Sequence, residues 1–329
     1  MNKATRILVS GTYFSGSSAV TDFLSEFDGV CRIPGEFDDF RRIGLVGDSL
    51  DASIVPYPLR FNDYILKKRS YSFISNVFGG STGRRAAAHR LIDRFFDSLL
   101  TFRGLKRANL NGLDFLQSYA QKIQSVDSPE VKLGLAKDWL CEVEESILNS
   151  KSYKYVLYDQ PIFHGQHQNI WPKVFEPFKL IVVIRNPLDQ MAQLIGNGNY
   201  HLDHHTCLTH GLHEIYGSDT SGMINYQLAA LCGRYRSILK LAEILPKDQM
   251  MIVSFEELVD QYDEITDNLL KYITDGKMDV KHSQPMKFFD PNMSRRNIGI
   301  KKEFNQQLQS VDQEMLREVM GLHGELLDS

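Results

Sequence analysis

The segment 11–18, Gly-Thr-Tyr-Phe-Ser-Gly-Ser-Ser, restricts the fold of this chain more than any other feature. It follows a short apolar run at 6–10 and precedes a stretch, 16–27, whose apolar residues recur at three- and four-residue spacing. Glycines let the backbone turn tightly and present consecutive N–H groups, and the N-terminus of the following helix adds partial positive charge. A strand, a glycine-rich loop and a helix in this order predict an anion-binding loop in an α/β protein.

The loop has the spacing of the Walker A phosphate loop, but Ser17 stands where Walker A has its lysine. Since that lysine reaches the β- and γ-phosphates, its absence argues against ordinary ATP or GTP hydrolysis. The hydroxyls of Ser17 and Ser18 are expected to donate hydrogen bonds to an anion, or one of them to cap the helix. A glycine–serine turn that binds nothing is the alternative.

Further apolar runs predict the strands of a sheet, at 30–31 and ending at 34–35, at 153–158, at 179–184 and at 250–254. The run at 179–184 is almost entirely aliphatic, which is typical of a central parallel strand buried on both faces. Helical patterns separate the strands, so we expect a three-layer α/β fold in which helices flank a central parallel β-sheet. Residues 1–329 are expected to form a single domain, with about 40–150 as a helical cap or insertion.

Charge and composition exclude several classes of protein. The net charge of −4 and the hydrophobic content of 43% are those of an ordinary globular protein, and they do not favour a nucleic-acid partner. No apolar run reaches the roughly 18 residues of a transmembrane helix, and the first run is too short for a signal peptide. The cysteines form no Cys-x-x-Cys pair, which favours a reducing, cytoplasmic compartment; they are Cys31, Cys141, Cys207 and Cys232.

The segment 12–18 resembles the donor-binding loop of the sulfotransferase superfamily, whose members have a P-loop-like fold and use 3′-phosphoadenosine 5′-phosphosulfate (PAPS). In that family the loop reads Pro-Lys-Ser-Gly-Thr-Thr or Pro-Arg-Ser-Gly-Thr-Thr and holds the 5′-phosphosulfate. The last four positions match if serine is allowed for threonine, whereas Phe14 stands where the family has the lysine or arginine that contacts the transferring sulfonate. The resemblance implies that these residues bind the donor: Thr12, Tyr13, Phe14, Ser15, Gly16, Ser17 and Ser18.

Residues 179–189 resemble the family's second donor motif, a strand followed by Arg-Asn-Pro-x-Asp, and the resemblance assigns Arg185 to the 3′-phosphate. An arginine at the carboxyl end of a buried strand also lies where open α/β sheets bind ligands, and its planar fork suits phosphate. The family's serine eight residues later is Gln193 here, which still donates hydrogen bonds. A surface ion pair between Arg185 and Asp189 is the alternative.

Two later segments are similar to further parts of the family. Residues 294–302 resemble the late Arg-Lys-Gly-x-x-Gly loop that closes over the 3′-phosphate, which makes Arg295 and Arg296 expected contacts. A solvated basic loop is the alternative for this segment. Residues 253–258 are similar to the strand that ends in Tyr-Glu-Asp-Leu, although an acidic strand-to-helix joint is common in other proteins.

Glu36 is the first candidate for the catalytic base, and His164 is the candidate that could replace it. Glu36 lies where some members, notably the protein-tyrosine sulfotransferases, carry Gly-Gly-Glu with the glutamate as base; a turn or capping role is its alternative. His164, like His167, follows the strand at 153–158, and other members use a histidine. Either group would take the proton of the acceptor as the sulfonate transfers. Asp159 and Gln160 are expected to line the acceptor pocket or to be polar surface residues.

Two clusters remain open to several interpretations. The first suits a zinc site or an acceptor-binding lid, but it lacks a Cys-x-x-Cys or His-Glu-x-x-His frame; it contains His201, His204, His205, Cys207, His210 and His213. The second, basic cluster would supply the charge missing at Phe14, bind an anionic glycan, or form solvated helix faces. Its members flank the loop Gly79–Gly83 and are Lys67, Lys68, Arg69, Arg84 and Arg85.

The resemblance, which is strongest to bacterial carbohydrate and protein-tyrosine sulfotransferases, implies a PAPS-dependent sulfotransferase. PAPS would be the co-substrate, no metal would be required, and the acceptor would be a hydroxyl or amine of a carbohydrate or small molecule. A P-loop-type phosphotransferase and a non-catalytic nucleotide- or anion-binding module are the alternatives. The sequence leaves the oligomeric state open, including a homo-oligomer.

Overall fold

The computed structural model of the chain describes residues 4–37, 40, 46–50, 112–148, 153–162, 164–165, 167–197, 215, 220–309 and 311–329. The chain divides into two compact units. Unit 1 comprises Met1–Arg32, Tyr153–Gly165 and Pro177–Ser329, and unit 2 comprises Ile33–Ser152 and Gln166–Glu176. The single domain with a cap at 40–150 stays a prediction, and much of that cap, 51–111, lies outside the described residues.

The elements follow one another as an alternation of strands and helices. The strands are β1 Thr5–Gly11, β2 Phe27–Asp28, β3 Val30–Glu36, β4 Tyr155–Asp159, β5 Phe178–Ile184, β6 Met250–Ser254 and β7 Lys281–His282. The helices are α1 Ser17–Leu24, α2 Val46–Leu50, α3 Gly112–Gln124, α4 Pro129–Leu148, α5 Trp171–Phe175, α6 Pro187–Gly196, α7 Thr220–Ile244, α8 Phe255–Asp260, α9 Tyr262–Ile273, α10 Pro291–Ser294, α11 Asn305–Gln309 and α12 Gln313–Leu327. Turns of 3₁₀ helix lie at Arg295–Asn297 and Ile300–Phe304.

The central sheet confirms the predicted fold class. It is a parallel, five-stranded sheet with the order β3-β4-β1-β5-β6, flanked by helices. β1 pairs in parallel with β4 and β5, and β5 pairs in parallel with β6. Every residue of β5 is buried, as its aliphatic sequence predicts for a strand covered on both faces. The carboxyl ends of β1, β4 and β5 therefore meet at one edge, where the loop 11–18 begins.

Helix α1 is shorter than predicted. It ends at Leu24, although its apolar spacing continues to Phe27. Phe27 belongs instead to β2, which pairs antiparallel with β7, and its ring stacks on that of His282 at 4.2 Å between ring centroids. A partner more than 250 residues away thus decides the end of the helix, and local periodicity does not report it.

A buried carboxylate fastens this small sheet to the segment that follows it. The side chain of Glu26 is fully buried and accepts hydrogen bonds from the N–H groups of Met286, Phe288 and Phe289, at 3.0, 2.8 and 3.0 Å. His282 Nε2 lies 2.7 Å from Glu26 Oε2. Burial acts to raise the pKa of Glu26, but these hydrogen bonds together bring the pKa below its ordinary value.

We expect Glu26→Gln to lower the free energy of unfolding by about 2–3 kcal/mol at pH 7, because an amide would turn a donor toward backbone N–H donors. A depressed pKa stabilises the fold above the unfolded-state pKa of about 4.3, and this contribution is lost as the pH falls through the lower, folded-state pKa. Urea unfolding at pH 7 and in mild acid measures the difference in free energy of unfolding between the wild type and Glu26→Gln. This difference should be smaller in acid. Asp28→Asn, at an exposed neighbour, is the control; equal losses for both variants would contradict this account.

None of the described helices is long and apolar enough to cross a membrane.

Candidate functional site

The loop between β1 and α1 has the tight, left-handed turns expected of an anion cradle. Gly16, with φ of 89°, immediately precedes α1, and Phe14 also has a positive φ, of 50°. The N–H of Ser15 bonds the carbonyl of Thr12 at 3.0 Å, which closes the loop. The first N–H groups of α1 have no acceptor within the helix, so they are available to an anion.

Two glycines are required by close contacts rather than by the turn alone. A Cβ on Gly11 would lie 2.0 Å from Ser15 Oγ and 3.0 Å from the carbonyl oxygen of Val183. A Cβ on Gly16 would lie 2.2 Å from Cδ2 of Phe255, the first residue of α8. The loop is therefore pressed against the carboxyl ends of β5 and β6.

The serines of the loop have different surroundings. The hydroxyl of Ser15 is buried beneath the loop and has no hydrogen-bond partner among the described residues. The hydroxyl of Ser17 accepts a hydrogen bond from Gln160 Nε2 at 2.7 Å. The predicted serine cap is wrong, because Gly16 is the N-cap and no side chain caps α1. Ser18 is exposed in the first turn, where its hydroxyl can reach a bound anion.

Gln160 supports the loop from the neighbouring strand. Its side-chain oxygen accepts from the N–H of Gly11 at 3.3 Å, in addition to its bond to Ser17. The predicted pocket residue Gln160 is therefore engaged with the loop 11–18. Asp159, the residue before it, is paired with Arg32 at 3.2 Å.

Arg185 joins three segments that the sequence motifs had marked separately. Its side chain donates to the carbonyl of Phe14 at 3.0 Å, to Gln193 Oε1 and to the carbonyl of Asn297. Burial lowers the pKa of Arg185, and the negative charges of Asp189 and Glu256 oppose this shift. An arginine remains charged even so, and the guanidinium is a buried positive centre between loop, helix α6 and the late basic segment.

Asp189 binds the late segment through its backbone. Its carboxylate accepts from the N–H groups of Gly299 at 2.7 Å and Lys301 at 2.9 Å. Asp189 and Arg185 are each 2% exposed, so the alternative of a surface ion pair between them is wrong. The side chains of Arg295 and Arg296 are exposed on the segment held in this way, and Arg295 lies 3.4 Å from Asp260.

The acidic segment 253–258, where β6 leads into α8, also contacts the backbone next to Arg185. Ser254 caps α8 by accepting from the N–H of Glu257 at 3.3 Å. Glu256 Oε1 accepts from the N–H of Asn186 at 3.0 Å. Glu256, which lies in a segment whose sequence pattern is common in other proteins, thus fixes the backbone at Asn186, next to Arg185.

Sequence reasoning missed a second set of contacts to the loop. Gln190 donates to Thr12 Oγ1 at 2.9 Å and to the carbonyl of Tyr13 at 2.6 Å. Tyr235 on α7 donates to Gln190 Oε1 at 2.8 Å and lies 3.1 Å from the carbonyl of Arg185. Arg234, next to Tyr235, places its guanidinium 4.0 Å from the ring centroid of Tyr13. No motif marks these residues. The one sequence signal that could have found them is a polar residue among the apolar residues of a helix, as Gln190 is on α6 and Tyr235 on α7.

The candidate bases fall in different units. His164 is in unit 1, is 8% exposed, and follows Ile162, whose carbonyl accepts from Ser10 Oγ at the end of β1 at 3.3 Å. Glu36 is an exposed residue at the end of β3 in unit 2. His167, also in unit 2, has Nε2 3.0 Å from Asp48 Oδ1.

The two open clusters lie outside the described residues. These are the histidine-rich residues 201–213 and the basic residues Lys67, Lys68, Arg69, Arg84 and Arg85. Within the part of the chain that the structure describes, no three His, Cys, Asp or Glu side chains group as metal ligands would.

Comparison with solved structures finds two sulfotransferase domains. One is from the olefin synthase of Synechococcus PCC 7002, with 13% identity, a TM-score of 0.43, and coverage of 92% of this chain and 94% of that one. The other is from the curacin biosynthetic pathway, with 12% identity, a TM-score of 0.42, and coverage of 98% and 97%. No protein-family profile and no curated protein matches the chain.

Proposed function

We propose that the chain is a sulfotransferase that binds PAPS in the loop 11–18 and moves its sulfonate to a hydroxyl or amine of a carbohydrate or small-molecule acceptor. The observation that carries this proposal is the position of Arg185. It joins the loop, α6 and the segment 295–301, which are the segments that the family resemblance assigns to the donor.

The residues present fit a donor with phosphate at both ends. The loop offers the N-terminal N–H groups of α1 and the exposed hydroxyl of Ser18 to the 5′ end. Arg295 and Arg296 are exposed on a backbone that Asp189 holds, so their charges can reach a 3′-phosphate. Arg185 contributes a buried positive charge between the loop and the segment 295–301. Gln193 bonds Arg185 and orients it in the place of the family's serine.

When bound, the donor supplies an activated sulfonate, whose bond to the 5′-phosphate oxygen breaks as a bond to the acceptor oxygen or nitrogen forms. The chain's part is to position this group and to stabilise the charge on the departing phosphate through the loop N–H groups and nearby cations. The base removes the acceptor proton in the same step. The leaving group is adenosine 3′,5′-bisphosphate.

We propose His164 as the base, with Glu36 as its rival. His164 belongs to the same compact unit as the donor loop and follows the strand end next to β1, whereas Glu36 is part of unit 2. If His164 is the base, His164→Gln lowers the transfer rate by about 100-fold or more and leaves donor affinity within about twofold, since general-base catalysis contributes 10²–10⁴. Glu36→Gln in the same assay is the matched comparison, and a rate loss confined to that variant would reverse the assignment.

Titration with adenosine 3′,5′-bisphosphate tests the donor class. A ligand that binds only the folded chain stabilises it by about 2.7 kcal/mol at one hundred times its Kd, and thermal unfolding measures this. Adenosine 5′-monophosphate, which lacks the 3′-phosphate, and ADP with Mg²⁺ are the controls. Stabilisation by ADP with Mg²⁺ but not by the bisphosphate would favour a phosphotransferase and contradict our proposal.

Transfer of labelled sulfonate from PAPS to a panel of alcohols, amines and sugars tests the activity itself. A chain that binds the bisphosphate, transfers sulfonate to no acceptor and binds equally well after His164→Gln and Glu36→Gln would be a non-catalytic nucleotide-binding module.

A further inference from the structure

The side chain of Gln160 bridges the two ends of the loop 11–18. Its Oε1 accepts a hydrogen bond from the N–H of Gly11 at 3.3 Å, and its Nε2 donates to Ser17 Oγ at 2.7 Å. The two partners fix which way the amide points. The backbone N–H of Gly11 is only a donor, so it must face the amide oxygen, and the NH₂ group of Gln160 therefore faces Ser17.

The role of the Ser17 hydroxyl follows from this pairing. An amide NH₂ group only donates, so Ser17 Oγ is the acceptor in the bond and its own proton is not used there. Among the residues that the structure describes, none accepts that proton, although Ser17 is buried in the first turn of α1. A buried donor without an acceptor is costly, which indicates that the acceptor is a ligand.

The backbones of both residues are fixed. Gln160 has a φ of 54°, in the left-handed region that a residue with a Cβ rarely adopts. Its N–H bonds the carbonyl of Val9 on β1 at 2.8 Å, which holds this turn at the end of β4. Thr21 Oγ1 donates to the carbonyl of Ser17 at 3.0 Å. The bond between Gln160 and Ser17 thus joins two anchored segments, and it restricts the rotation of the hydroxyl.

We propose that Gln160 is a positioning residue, which holds the Ser17 hydroxyl as an acceptor so that the hydroxyl proton is donated to the 5′-phosphate end of the bound donor. This inference rests on the proposed function, because it deepens the assignment of the same loop. It replaces the acceptor-pocket role that the sequence predicts for Gln160. Where Walker A has a charged lysine, this loop uses a neutral hydroxyl that a neighbouring strand orients.

Two nucleotides separate the 5′ contacts from the rest of the donor site. Adenosine 3′,5′-bisphosphate carries the 5′-phosphate, adenosine 3′-monophosphate lacks it, and calorimetric titration measures both affinities. Ser17→Ala should weaken the bisphosphate by about 10- to 100-fold, the value of a hydrogen bond to a charged group. Gln160→Met, which has a similar volume and no such bonds, should weaken it by about 3- to 10-fold. Both variants should change the affinity for the monophosphate by less than about twofold.

A double-mutant cycle shows whether Gln160 acts through Ser17. In the Ser17→Ala protein the hydroxyl is absent, so adding Gln160→Met should weaken the bisphosphate by less than about twofold further. The same factor for Gln160→Met in the wild type and in Ser17→Ala would overturn the inference, because Gln160 would then act on the loop as a whole. Equal weakening of the two nucleotides by Gln160→Met would overturn it as well.

Gln160→Glu reverses the polarity of the bond to Ser17. The carboxylate still accepts from Gly11, but it only accepts, so Ser17 must turn its proton toward it and away from the ligand. We expect the bisphosphate affinity to fall by about 100-fold or more, because the new negative charge also repels the phosphate. Wild-type affinity in this variant would contradict the inference. If Gln160→Met does not fold, Gln160→Glu completes the cycle, and its effect should be smaller in the Ser17→Ala background.

Gln124→Glu is the matched control. Gln124, in unit 2, donates from Nε2 to Ser49 Oγ at 3.2 Å, so the variant makes the same change in another glutamine–serine pair. It should leave both nucleotide affinities unchanged, and a loss equal to that of Gln160→Glu would overturn the inference. A wild-type protein that binds neither nucleotide would instead overturn the proposed function itself, whereas an additive cycle leaves the donor assignment intact.

Discussion

Replacing Arg185 with methionine will abolish measurable binding of adenosine 3′,5′-bisphosphate and lower the free energy of unfolding by about 3–5 kcal/mol. Methionine fills a similar volume but donates no hydrogen bond. The carbonyls of Phe14 and Asn297 would then lose the side chain that joins them. Calorimetric titration and urea unfolding measure the two effects.

Arg185→Lys separates charge from geometry. Lysine keeps the charge but lacks the planar fork, so it cannot bond the loop, Gln193 and the late segment together. We expect it to restore less than half of the lost stability. Arg236→Gln, at an exposed arginine, should cost about 1 kcal/mol or less. An Arg185→Met protein as stable as the wild type would show that the three segments are held by other contacts.

Replacing Gly16 with alanine will lower the free energy of unfolding by about 2–5 kcal/mol and weaken anion binding at the loop. Alanine in the left-handed conformation costs about 1–2 kcal/mol, and forcing its Cβ against a packed ring costs about 1–3 kcal/mol more. The Cβ would lie 2.2 Å from Cδ2 of Phe255, so either the loop or the ring must move. Urea unfolding and nucleotide titration of the variant test both parts.

Gly29 provides a control with the same backbone conformation. It also has a φ of 89°, but a Cβ there would meet nothing within 4 Å, so Gly29→Ala should cost only the conformational part, about 1–2 kcal/mol. The difference between the two variants isolates the contact with Phe255. Adding Phe255→Leu to Gly16→Ala should recover part of the loss. Equal costs at the two glycines would mean that the ring yields freely.

Much of the sheet could be predicted from local sequence. β6 has the predicted bounds 250–254, and β5 begins one residue before the predicted range. Both strands are short and apolar, and burial on both faces leaves little freedom in their composition. The end of α1 could not be predicted, since the pairing of Phe27 with His282 decides it and neither residue's neighbours indicate the other.

The candidate site was predictable in part. The loop and Arg185 stand out in the sequence for two reasons. Glycines after a strand indicate a tight turn, and an arginine directly after a buried strand lies where open α/β sheets bind ligands. Gln190, Tyr235 and Arg234 do not stand out, because a polar residue on a long helix has many possible roles. Only the course of the chain brings α7 to the loop, where the hydroxyl of Tyr235 meets Gln190.

By itself, the sequence determined a parallel α/β sheet with a glycine-rich loop after its first strand, because turn geometry and apolar periodicity are local properties. The tertiary structure decided how that loop is held. It turned Arg185 inward to the carbonyls of Phe14 and Asn297, gave Asp189 to the backbone of the late segment, and stacked Arg234 on Tyr13. Hydrogen bonds and cation–π contacts depend on distances of a few ångströms between residues far apart in the chain, and no local pattern encodes those distances.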